Sequence, residues 1–94
     1  MKQPASSFGR ALRYARRARG LPQEEFDAVS SRTYISTIER GLKQPTIAKV
    51  DALAGVLGLH PLTLLALSYC SRHSPLEIRR LLDQVRAEIE GLDR

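Results

Sequence analysis

Arg32, Thr33, Ser36 and Thr37 fall largely on one side of a short helical repeat whose other side carries Ile35 and Ile38. These are side chains that read rather than react. Arginine, serine and threonine offer donors, acceptors and a methyl group, which is what touching base edges in the major groove of duplex DNA requires. The segment that holds them runs from Gln23 to Pro45. It contains two short helical patterns, one from Gln23-Glu24-Glu25-Phe26 and one from Arg32, separated by the tight turn Ser30-Ser31 and closed by Gly41 and Pro45. That is the layout of two helices joined by a turn, in which the second helix enters the groove while its apolar side locks it onto the domain.

Chemistry of the reactive kind has no candidate. His60, Cys70 and His73 lack the spacing of zinc ligands and have no supporting set of carboxylates. There is no glycine-rich phosphate cradle, and Ser30-Ser31 has no acid or base near it in sequence. The sequence therefore predicts a binding protein rather than an enzyme, with no metal and no cofactor. His60 reads as a cap or turn residue before Pro61, and Cys70 as a buried or half-buried thiol at a helix end. A single cysteine forms no internal disulfide, which suits a reducing compartment. No apolar run is long enough to span a bilayer, and the first seven residues lack the apolar stretch of a signal peptide, so a cytoplasmic location is expected.

Ninety-four residues allow one small domain with a single core. The formal net charge is +5, and its placement is more informative than its size. Met1 to Pro45 carries nine Lys/Arg against four Asp/Glu, whereas Thr46 to Arg94 carries six of each. All the excess positive charge lies in the half that holds the two-helix segment. A polyanion is drawn to that half, unless the charge is only a solubilising surface, and the other half is left for packing or a partner.

Several elements must position the segment. Ser6 or Ser7 can cap a first helix over about Phe8 to Arg19, with Phe8, Leu12 and Ala15 inward and Gly20 as terminator. Pro22 opens a second helix, where its missing N–H costs nothing, with Phe26 and Val29 inward. Ser31 caps the third helix and Gly41 ends it in a left-handed conformation. Thr46 caps a fourth, whose Ile47, Val50, Leu53, Ala54 and Leu57 form an apolar stripe closed by Gly58. His60-Pro61 opens an apolar fifth helix through about Cys70. Ser74-Pro75-Leu76-Glu77 then spells a capping box with proline at the first helical position, predicting a sixth helix to about Gly91. Its Ile78, Leu82, Val85, Ile89 and Leu92 recur at four- and three-residue spacing, a seam barely two heptads long that either covers its own domain or meets a second copy.

With Phe-Gly-Arg-Ala-Leu-Arg from Phe8, Arg19-Gly20-Leu21, Gln23 to Phe26, Ile35 to Gly41, Pro45-Thr46, Leu53-Ala54 and Leu57-Gly58-Leu59 leading into Leu64-Leu65, the stretch Phe8 to Leu65 resembles one family. It is similar to the phage-repressor/Cro-type helix-turn-helix regulators, also called the Xre family. The resemblance implies an all-α fold, with a five-helix repressor-like DNA-binding domain over residues 1–70 and an additional C-terminal amphipathic helix over 71–94. It implies a sequence-specific transcriptional regulator that reads the major groove with the helix around 31–40. Arg32, Thr33 and Thr37 match positions from which such proteins read bases, and Ser36 stands beside them. An arginine there can hold a guanine edge with two hydrogen bonds, and a threonine methyl suits thymine. Gln23, at the start of the second helix, Lys43 and Gln44, in the following loop, and also Tyr34 and Arg40, are implied as backbone-phosphate contacts, which fix register rather than sequence. Arg16 and Glu39 match a pair that joins the first and third helices in the family, so they are expected to be structural despite their charge. The plainer alternative is two solvated surface charges.

Two departures from the family pattern stand out. The distance from Gln23 to Ile35 is two residues shorter than usual, which requires a shortened second helix or turn. Pro22 stands where a serine or threonine usually caps that helix, removing one acceptor from its end. Double-stranded DNA is the expected partner, with a homodimer at least on DNA and a protein partner both open. The alternative function is that of an antitoxin-like protein, which binds a partner toxin and regulates its own expression through the helix-turn-helix.

Overall fold

The computed structural model describes residues 5–93, with side chains from Ser7 onward, and contains five α-helices and one 3₁₀ turn in that span. Helix α1, Ala5–Ala18, starts earlier than its sequence suggests. Ser6 and Ser7 therefore lie inside the helix and not at its cap. Ser7 is buried at the same end as Phe8, and burial there outweighs the modest preference of serine for a capping position. The far end behaves as expected. The Gly20 N–H bonds to the Arg17 carbonyl and the Leu21 N–H to the Arg16 carbonyl, both at 3.0 Å, which turns Leu21 back toward the core.

The second predicted helix is reduced to a 3₁₀ turn, Gln23–Phe26. Eight residues separate Pro22 from the cap at Ser31, and they must hold both the second element and the turn. The chain tightens instead into successive three-residue bonds, Glu25 N–H to the Pro22 carbonyl and Asp27 N–H to the Glu24 carbonyl. Phe26, fully buried, anchors the turn, and Val29 packs against the core.

Helix α2, Arg32–Glu39, is capped by the Ser31 hydroxyl, which accepts the Tyr34 N–H at 3.0 Å. It ends at Gly41, whose φ of 77° lets Gly41 and Leu42 donate to the Ile38 and Thr37 carbonyls. Helix α3, Ile47–Leu57, buries Val50, Leu53, Ala54 and Leu57. Ile47 departs from the predicted stripe. It is 80% exposed, because the first turn of α3 stands at the rim of a groove rather than under a neighbouring helix.

Helix α4, Pro61–Tyr69, turns by 106° from α3 and is capped by His60, whose Nδ1 accepts the Leu62 N–H. Cys70 closes it as a buried free thiol. Among the described residues no single helix is long and apolar enough to cross a membrane. Helix α5, Pro75–Gly91, is capped by Ser74, but the other arm of the capping box reaches elsewhere. The Glu77 carboxylate accepts the N–H groups of Ser71 and Arg72 at 2.9 and 2.8 Å, closing the turn between α4 and α5.

The helices pack around one core in which Phe8 and Leu12 of α1, Phe26, Ile35 and Ile38 of α2, Leu53 of α3 and Leu64 of α4 meet. Helix α1 sets Gly9 against the end of α2. A Cβ placed there would overlap the Ile38 carbonyl oxygen and stand 2.8 Å from that of Glu39. Helix α5 buries no residue. Ile78 and Leu81 are half-buried, but Leu82, Val85, Ile89 and Leu92 are exposed, so the expectation that the seam covers its own domain is met only near the start of the helix.

Candidate nucleic-acid interface

Two buried isoleucines decide which way α2 faces. With Ile35 and Ile38 fully enclosed, helical geometry turns Arg32 and Thr33 into solvent and leaves Ser36 and Thr37 half-exposed on the same outward side. The Thr37 hydroxyl donates to the Thr33 carbonyl at 2.8 Å, which fixes its rotamer and the direction of its methyl. Arg32 reaches the Asp27 carboxylate at 3.5 Å, with both side chains more than half exposed. An ion pair so solvated contributes little and leaves the guanidinium available to a stronger acceptor.

The end of α2 is held by charge. Glu39 has 1% of its side chain exposed and receives three donors: Arg16 at 2.7 and 3.0 Å through Nε and Nη2, Gln23 Nε2 at 3.1 Å, and Arg13 Nε at 3.5 Å. The Arg16 Nη1 also donates to the Leu21 carbonyl at 3.0 Å, so one guanidinium ties α1 to both α2 and the chain entering the 3₁₀ turn. Burial by itself would push the Glu39 carboxyl up. The hydrogen bonds from Arg16 and Gln23, with the Arg16 charge and the weaker Arg13 bond, outweigh burial and hold it below the usual carboxylate range. The hydrogen bond to Glu39 likewise raises Arg16 above its ordinary value, against the opposing effect of burial.

Gln23 is thus placed differently from its sequence expectation. It opens a 3₁₀ turn rather than an α-helix, Glu24 and Glu25 follow it in that first turn, and its amide faces Glu39. The part of the expectation that relied on the free N–H groups of an α-helix end drops out.

Lys43 and Gln44 are exposed in the loop after Gly41, and Arg40 lies exposed at the end of α2 with a long bond from Nε to the Ser36 carbonyl, 3.4 Å. Tyr34 is half-buried, its ring approached by Lys43 Nζ at 5.8 Å and Lys49 Nζ at 5.2 Å. Lys49 also donates to the Val29 carbonyl at 2.8 Å, which braces the turn ahead of α2. Sequence reasoning passed over Arg13 and Lys49. Arg13 was legible in part, since it stands three residues before Arg16 on the same helix face. Lys49 was not, because its partners lie 15 and 20 residues away in sequence.

Comparison with known proteins bears on the family. The sequence profile of the helix-turn-helix family matches residues 12–64, more than half of the chain. An uncharacterized HTH-type transcriptional regulator of Sinorhizobium fredii, y4dJ, is 42% identical over 60 residues, which cover 62% of this chain and 73% of that protein.

Proposed function

Since the chain belongs to the helix-turn-helix family of DNA-binding regulators, we propose that it controls transcription by laying α2 in the major groove of an operator. The observation that carries this reading is the division of α2 into a fully buried face and an outward face of Arg32, Thr33, Ser36 and Thr37. Those four residues read the bases. Lys43 and Gln44 hold the phosphates beyond the C-terminal end of the helix, with Arg40 and Tyr34 flanking them. Burial of Glu39 under Arg16, Gln23 and Arg13 keeps the helix at one angle, so that side chains of modest length arrive at base edges in register. The excess of positive charge in the same half of the chain supplies the sequence-independent attraction.

Selection of bound duplexes from a genomic or randomised pool tests the proposal. Enrichment of one short sequence, bound well above random duplex at near-physiological salt, is expected. Binding with no preference between pool and selected sequence would reduce the protein to a non-specific DNA binder and end the regulator reading.

A further inference from the structure

We infer that Asp27 is a positioning residue that makes Arg32 choose a base edge over a backbone phosphate, a role that rests on the proposed seat of α2 in the major groove. The shortened stretch ahead of α2 leaves the two only five residues apart, Asp27 at the end of the 3₁₀ turn and Arg32 at the first position of the helix. Both backbones are fixed. The Asp27 N–H donates to the Glu24 carbonyl at 3.0 Å, and the buried Phe26 before it accepts the N–H groups of Val29 and Ser30 at 2.9 Å. Ser31 caps α2 immediately before Arg32. From these positions Asp27 Oδ2 meets Arg32 Nη2 at 3.5 Å, with 56% and 54% of the side chains exposed.

In water so open a pair does little, but a duplex displaces water from around it and strengthens the attraction. The guanidinium carries five N–H groups, and the contact with Asp27 engages Nη2 alone. A guanine edge is neutral and accepts from the N–H groups that remain, so Arg32 reaches it without leaving Asp27. A phosphate is an anion. To hold Arg32 it must draw the guanidinium off Asp27, or stand beside the carboxylate and be repelled. Asp27 thus penalises the contact that every sequence offers and spares the one that a single base pair offers, which is selectivity gained against the wrong partner. Residues 1–45 carry nine Lys/Arg against four Asp/Glu, an excess that by itself pulls the protein to any duplex, so such a penalty has something to act against.

Affinity for the selected operator and for random duplex, each across a salt series, tests the assignment. Asp27→Ala is expected to bind random duplex about threefold more tightly, with a salt slope steeper by about one as Arg32 takes a phosphate, and to lose about tenfold in the ratio of specific to random binding. Asp27→Asn keeps the shape and an acceptor oxygen but not the charge. It is expected to behave as Asp27→Ala does, which a packing role for the side chain would not produce. In an Arg32→Ala background neither substitution should move the slope or the ratio. The two readings fail differently. A wild type that prefers no sequence ends the regulatory reading and takes this one with it. A selective wild type whose ratio or random-duplex slope survives Asp27→Asn, or in which Asp27→Asn acts equally without Arg32, keeps the regulatory reading and overturns the role of Asp27.

Discussion

Glu39 concentrates the energetics of the interface in one carboxylate. Its folded-state pKa lies below the value of about 4.3 that it takes in an unfolded chain, so its contribution to stability is present above that pH and is lost as pH falls toward the folded value. Urea denaturation measured between pH 7 and 3 should therefore show wild type losing stability as pH falls below about 5, with Glu39→Gln flatter over the same range. Glu39→Ala leaves Arg16 enclosed beside a missing partner and should cost about 3–5 kcal/mol. An unchanged melting temperature with lost DNA binding would instead move Glu39 to the DNA surface. On the outward face the expected signatures differ. Arg32→Ala should cost about 1–3 kcal/mol on the preferred site and relax one base pair, read by titrating variant operators. Lys43→Ala should weaken every sequence alike and lower the salt slope by about one. Equal loss on specific and random DNA for Arg32→Ala would remove its base-reading role. The outward set on α2 could be read from spacing, because Ile35 and Ile38 leave it nowhere else to point. The partners of Glu39 could be read only in part. Arg16 followed from the family pattern, but nothing in the spacing pointed the Gln23 amide at Glu39, which only the folded turn brings within reach.

The position of α2 depends on backbone contact as much as on side chains. Gly9 seats α1 directly on the last carbonyls of α2, where even a methyl group meets main-chain oxygens that cannot move independently. Gly9→Ala should destabilise the fold by about 3 kcal/mol or more, measured by chemical denaturation, and should weaken specific DNA binding more than random binding as α2 tilts. Wild-type stability in that variant would show that α1 and α2 are less tightly seated than the structure has them. Element ends were the most legible part of the chain, since Ser31, Thr46, His60 and Ser74 each cap the helix that they precede. The start of α1 was misread because a buried serine resembles a capping serine in sequence. After Pro22 the shortening was legible in the spacing from Gln23 to Ile35, but its form, a 3₁₀ turn in place of an α-helix, was not. Ile47 shows the limit of periodicity, which assigns a face but not whether a neighbour reaches it.

For the molecule as a whole, one recognition helix reads only a few base pairs, so a paired protein should occupy two half-sites about one helical turn apart. Footprinting on the selected operator is expected to show two symmetric protections. Inserting five base pairs between them should weaken binding by turning one half-site to the opposite side of the duplex, whereas an unchanged footprint would mean that each copy binds alone. Helix α5 has a further consequence. Because it buries no residue in a single copy, nothing in the monomer commits it strongly, and pairing is free to be loose. Were two copies to pair loosely through it, the population of pairs would grow with the square of the amount of protein made. A gene controlled by such pairs would stay quiet through small fluctuations in synthesis and change state over a narrow range of it, so the exposed helix would give a cell a threshold where an isolated domain would give only a graded response.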